Sequence, residues 1–203
     1  MKPTTSLPMS SEDRRAATVS AVVELASEHN PTDITTAAIA AKMGVTQGAL
    51  FRHFASKDAV LSAVMEWVSA RLLGRLEAAA AGLVPADQAL EAMFLAHIQF
   101  IVEHPGVPRL MLGELQKSGD SLPKRLARTL SQAYRARLSD KLKLGVDQGI
   151  FRADLDVEAA TTLLFGMVQG LAVQGLLSGD VAVIKREAPR LFLLFRRAIL
   201  IPA

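Results

Sequence analysis

The sequence predicts an all-α protein of about nine helices, and three observations carry that expectation. Alanine and leucine dominate, aromatic residues make up 5% of the chain, and β-branched runs are scarce, a mixture that favours helix over strand. Apolar residues recur at three- and four-residue spacing in segment after segment, with no sustained two-residue alternation. Capping residues and Gly or Pro breaks fall where those segments should start and stop. With 203 residues, half of them apolar, the chain can bury a sizeable core.

Residues 1–10 are polar, contain Pro3 and Pro8, and read as a loose tail. Ser10 and Asp13 have capping-box spacing, and Val19, Val22, Val23 and Ala26 follow at helical intervals to about Glu28. Asn30-Pro31 breaks that first helix. Thr35 caps a second, ending near Lys42, with Gly44 placed for a left-handed turn. Thr46 caps a third, to about His53, and Ser56 a long fourth, which runs through Leu61, Val64, Val68, Leu72 and Leu76 to before Gly82. The fifth spans Ala86–Glu103, the sixth about Pro108–Lys117, the seventh Lys124 to near Gln148, and the eighth from after Asp156 to about Ser178. The last covers about Pro189–Ile199, its start left open because Pro189 could be a kink inside a longer helix.

Several function classes are excluded or disfavoured. The chain has no cysteine, so disulfides, thiol catalysis and cysteine-ligated zinc are out. It has no HExxH and no glycine-rich phosphate loop after a strand, and His29, His53, His97 and His104 lack ligand spacing with carboxylates. No enzyme, metal or cofactor is expected. The N-terminus lacks an apolar signal core, and Glu158, Gln169 and Gln174 interrupt the apolar segment Val157–Leu177. A cytoplasmic protein without a membrane span is therefore expected.

The formal charge is +3, with a pI near 9.4, a weak pointer to an anionic partner. Residues 1–60 hold six basic and six acidic groups, yet Ile34–Lys57 contains Lys42, Arg52 and Lys57 and no acid. That local asymmetry suits a phosphate-facing surface. The stretch Lys124–Arg152, with eight basic and two acidic residues, reads as a solvated helix face.

The segment that carries function is residues 34–61, ITTAAIAAKMGVTQGALFRHFASKDAVL. Two short helices joined by a three-residue turn must pack closely at a steep angle. Ala40 and Gly44 are small where they meet, and Ile39, Met43, Val45 and Leu50 are spaced to fill the shared core. The start of the second helix would then enter a DNA major groove. Thr35 and Thr36, with free amides beside them, are donors for a phosphate oxygen. Gln47 can pair with an adenine edge, Thr46 makes a single contact, Gly48 lets the backbone come close, and Gly48 and Ala49 make essentially no base contact of their own. Arg52, His53 and Lys57 add donors and positive charge, Lys57 aimed at the backbone.

These residues together resemble the TetR family of transcriptional repressors. The resemblance rests on Thr35-Thr36, Ile39-Ala40, Gly44-Val45, Thr46-Gln47-Gly48, Phe51-Arg52-His53-Phe54 and Ser56-Lys57-Asp58, and covers about residues 11–65. It implies a helix-turn-helix DNA-binding domain over 11–65, with the motif at about 35–54, joined by the long fourth helix to a ligand-sensing and dimerising domain over 66–203. Phe51 stands where the family usually has a tyrosine whose hydroxyl contacts phosphate. That leaves Phe51 a packing role and lowers phosphate affinity.

The resemblance also implies a four-helix dimer bundle from the last two helices of each subunit. Leu164, Val168, Leu171 and Gly175 form one stripe, with Gly166, Gly170 and Ala172 permitting close approach, and Leu191, Leu194 and Phe195 lie on a last helix apolar nearly all round. Ordinary packing within the chain is the competing reading. An effector pocket among helices 4 to 8 is implied too. Met93, Phe94, His97 and Ile101 share one helix face, with Trp67 and Met111 as neighbours, and would suit an apolar effector unless they are plain core. The expected function is a homodimeric repressor released from palindromic double-stranded operator DNA by a small, largely apolar effector. An effector-free adaptor or an activator is the alternative.

Overall fold

The computed structural model describes residues 10–201, so the expected tail lies outside the described residues except for Ser10. Nine α-helices follow in order among the described residues: α1 Ser11–Glu28, α2 Thr36–Lys42, α3 Gln47–Phe51, α4 Lys57–Ala80, α5 Ala86–Glu103, α6 Gly106–Gln116, α7 Leu122–Asp147, α8 Val157–Ser178 and α9 Val181–Ile199. Extended pairing there is confined to a bridge between Phe151 and Leu200, just beyond α7 and α9.

Local chemistry explains most helix ends. Ser10 and Asp13 form the reciprocal capping box, and Thr35, Thr46, Ser56, Ser121 and Asp156 each accept a backbone N–H in the first turn of the helix they cap. Prolines shift three boundaries from those expected. Pro108, expected as the first residue of α6, and Pro123, expected before α7, both sit inside the first turns of those helices, where a missing N–H leaves no helical bond unmade. Pro189 lies within α9, which begins at Val181. Pro189 and Lys185, whose carbonyl loses its helical partner to the proline, are both exposed.

α4 links the two halves, and its 24 residues span about 36 Å at the usual helical rise. Val60, Leu61 and Val64 near its start and Val68, Leu72 and Leu76 further along are all buried, and the helix packs on α1, α5 and α7. α5 runs through the middle of the larger half, against α4, α7, α8 and α9. Its buried Asp87 meets Arg196 of α9 at 2.6 Å. That pairs an acid in the first turn of one helix with a base in the last turn of another, each complementing its helix dipole.

α8 is long and apolar enough to cross a membrane by length and composition, and a third of its most apolar window is buried within the protomer. It packs on α5, α6, α7 and α9.

Candidate nucleic-acid interface and ligand cavity

The small half is held by Val22, Ala26, Ile39, Ala40, Leu50 and Phe54, all buried. Ala40 and Gly44 let α2 turn sharply into α3: Gly44 has φ 68°, and the Val45 N–H returns to the Ala40 carbonyl at 3.0 Å. Val45 itself is 42% exposed, so it does not fill the shared core as expected; the turn carries it outward. The packing leaves one side of α2 and α3 open. Thr35, Thr46, Gln47, Gly48, Phe51, Arg52 and His53 are exposed there, and Thr36, Ala49 and Lys57 are half-buried.

Two side chains on this surface are already oriented. Gln47 donates through Nε2 to the Thr36 hydroxyl at 2.7 Å, and Arg14 of α1 lies 3.2 Å from His53 Nε2. Arg14 is far from the motif in sequence, so spacing within residues 34–61 could not have found it. The charge pattern is also trimmed, because Lys42 pairs with Glu24 at 3.1 Å, while Arg52 and Lys57 form no ion pair among the described residues. Phe51 is 44% exposed and packs into no core, against the packing role expected of it.

In the larger half, α4 to α8 enclose a cavity of about 330 Å³. His97 and Phe100 of α5, Met111 of α6, Tyr134 of α7 and Phe165 of α8 line it, and Leu112, Leu115 and Val173 form an exposed apolar rim between α6 and α8. Of the expected ligand residues, His97, Ile101 and Met111 reach this space. Met93, Phe94 and Trp67 do not. Phe94 turns the other way, onto Phe192 of α9 at 5.5 Å, Met93 is buried, and Trp67 packs beside Phe100 and His104. α5 is covered on several sides, so residues on its apolar face reach different neighbours. The sequence reading missed Tyr134, although its place in the stripe Ala127, Leu130, Tyr134, Leu138 marks it as inward-facing.

His97 touches the cavity space yet lies below the protein surface, and burial pushes its pKa down to about 3. Burial also raises the pKa of Tyr134. Both groups are therefore neutral at ordinary pH.

Family profiles match both halves. Bacterial regulatory proteins of the tetR family match residues 19–64, and the tetracyclin repressor-like C-terminal domain matches residues 84–173. The chain belongs to the TetR family. Its members are DNA-binding transcriptional regulators rather than enzymes. The nucleoid occlusion factor SlmA of Actinobacillus pleuropneumoniae is 30% identical over 131 residues, 63% of this chain and 65% of that protein. The transcriptional repressor KstR2 of Mycobacterium tuberculosis is 28% identical over 124 residues, 59% of this chain and 60% of that one. The match therefore spans under two thirds of either relative. The fold is shared with FadR of Bacillus subtilis, solved in complex with stearoyl-CoA, at a TM-score of 0.80, 18% identity and coverage of 91% and 98% of the two chains.

In this TetR-family chain the stripe expected to meet a second subunit faces inward. Leu164, Val168, Leu171 and Gly175 of α8 and Phe195 of α9 are buried within the protomer. Gly175 admits Ile184 of α9 so closely that a Cβ would lie 2.3 Å from its Cδ1, and Val168 lines the cavity. Leu191 is half-buried and Leu194 is exposed. The open face of α8 is instead Leu163, Gly166, Gly170, Val173 and Leu177, beside Leu193 and Leu194 of α9. A Cβ at Gly166 or Gly170 would meet nothing within 4 Å.

Proposed function

We propose that this TetR-family protein is a dimeric repressor that reads a palindromic operator through α3 and releases it when a small, largely apolar effector enters the α4–α8 cavity. The observation that carries the reading is the position of α6. One side of α6 lines the cavity through Val107, Met111 and Leu115. Its other side lies on α1, where Gly106 approaches so closely that a Cβ would fall 2.1 Å from the Val23 carbonyl oxygen. α1 is the floor of the reading head, because it packs on α2 and its Thr18 hydroxyl donates to the Met43 sulfur at 3.4 Å. An effector that displaces α6 therefore moves the floor of the reading head and changes the distance between the two heads of a dimer.

At the DNA, Gln47 reads a base edge, and Arg52, Lys57 and the Thr35 and Thr36 hydroxyls hold phosphates. The dimer forms across the open α8–α9 face, which also covers the apolar side of α8 that the protomer leaves bare. As a bacterial-type regulator it meets its DNA in the cytoplasm. Cavity size favours a compact effector, since about 330 Å³ is near the lower end of ordinary ligand sites. The cavity also favours a sensor over an adaptor that responds to no small molecule.

Selection from a pool of random duplexes tests the proposal. Enrichment of a two-fold symmetric site is expected; failure to enrich any site would contradict sequence-specific reading. Linkage adds a second check, because operator must weaken binding of a releasing effector by the factor that the effector weakens operator binding.

A further inference from the structure

Resting on the reading of the α4–α8 cavity as the effector site, we infer the chemical class of the effector: a neutral, largely apolar molecule carrying one hydrogen-bonding oxygen, a hydroxyl or a carbonyl, that bonds to His97 and Tyr134. Among the described residues, four side chains have a buried polar atom without a hydrogen-bond partner, and two of them, His97 Nδ1 and the Tyr134 hydroxyl, belong to this cavity. The rings of His97 and Tyr134 meet edge to face with centroids 5.0 Å apart. Buried polar groups are nearly always satisfied, and leaving two unsatisfied in one apolar space is costly. Both side chains line a space with room for a ligand while the two polar atoms themselves are closed to water, which points to an oxygen that the ligand supplies once the rings turn to meet it.

The rest of the wall sets the remaining limits. No Asp, Glu, Lys or Arg lines the cavity, so a carboxylate or ammonium would lose its hydration with no opposite charge to meet. Burial keeps the imidazole neutral, so it supplies no cation either. The Ser131 hydroxyl already donates to the Ala127 carbonyl at 3.0 Å, and Gln169 lies at the exposed rim. The paired sites at the wall are thus the phenol O–H and the imidazole. A ligand hydroxyl can accept from Tyr134 while donating to the imidazole lone pair; a carbonyl can accept from both when the facing imidazole nitrogen carries the proton. A pure hydrocarbon would fill the space and leave both groups orphaned.

Isothermal titration of the full chain with 1-naphthol, naphthalene and 1-naphthoate tests this, in the unmutated protein, Tyr134→Phe and His97→Leu. The expected result is 1-naphthol binding at least about tenfold tighter than naphthalene, with 1-naphthoate weaker than 1-naphthol. In Tyr134→Phe the preference for 1-naphthol should collapse while naphthalene binding is kept, and where that variant does not fold, His97→Leu carries the same comparison. Equal binding of naphthalene and 1-naphthol by the unmutated protein, or preference for 1-naphthoate, overturns the assigned class and leaves the cavity as an effector site. Binding of none of the three overturns the cavity reading itself.

Discussion

Phe51 shows how far a single residue can be read from sequence. Its place in the motif was legible, but its exposure was not, because that depends on how α3 lies against α1. With 44% of its surface open on the reading side, it stands where a tyrosine hydroxyl would reach a phosphate. Phe51→Tyr should add one hydrogen bond to a charged oxygen in each subunit and tighten binding to every duplex alike, by about 1.5 kcal/mol per contact, or roughly a hundredfold for the dimer. Anisotropy titrations on specific and random duplexes check this, and a gain on one sequence alone would place residue 51 at a base. His97 makes a second residue-scale prediction. Its pKa is near 3 in the fold and about 6.5 in the unfolded chain, so between those values the unfolded chain binds more protons. Stability therefore rises with pH across that window and is lost as pH falls below about 6.5, by up to about 2 kcal/mol between pH 7 and 5. Denaturant unfolding should show that loss, and His97→Leu should flatten it. Caps such as Ser10, Thr35, Thr46 and Ser56 were readable because their chemistry is local. The His97–Tyr134 pair was not, because it joins α5 to α7.

Among the elements, α8 was read correctly as a helix and incorrectly as to its outward face. Apolar residues on every side give no periodic signal for which side goes in, and glycines occur on both. Gly175 is small to admit Ile184 from its own chain, whereas Gly166 and Gly170 stand open. Charge belongs at Leu177, which is 82% exposed, if the aim is to break the dimer and spare the protomer. Leu177→Glu should shift sedimentation toward monomer with the unfolding curve little changed, while Leu171→Glu should unfold the protein, since Leu171 is buried within it. Retained dimer in Leu177→Glu would move the interface elsewhere. α6 offers a complementary test. Gly106→Ala drives a methyl into the α1 backbone, and such overpacking destabilises by about 1–3 kcal/mol. Because α1 supports the reading head, operator affinity should fall as well, while cavity binding of a small apolar probe is kept; unchanged operator affinity would remove α6 from the coupling path.

In the proposed function the whole molecule joins a reading head, a sensing cavity and a dimer face through the long helix α4 and the bridge of α6. The helix-turn-helix was legible because the motif is compact, and α4 because it carries its pattern unbroken from Leu61 to Leu76; the close packing of α6 on α1 was not, since it depends on a tertiary approach at Gly106. A two-fold dimer doubles every protomer contact with DNA, which makes the central claim measurable. The most direct measurement is a binding titration across salt on the selected duplex and its single-base variants, comparing Gln47→Ala with Lys57→Ala. Gln47→Ala should relax base preference at one symmetric position per half-site, at about 1–3 kcal/mol per lost contact. Lys57→Ala should weaken all duplexes alike and flatten the salt dependence by about two units of slope, one phosphate contact from each subunit. If Lys57→Ala changes which base is preferred while Gln47→Ala lowers affinity uniformly, α3 does not enter the groove as described here.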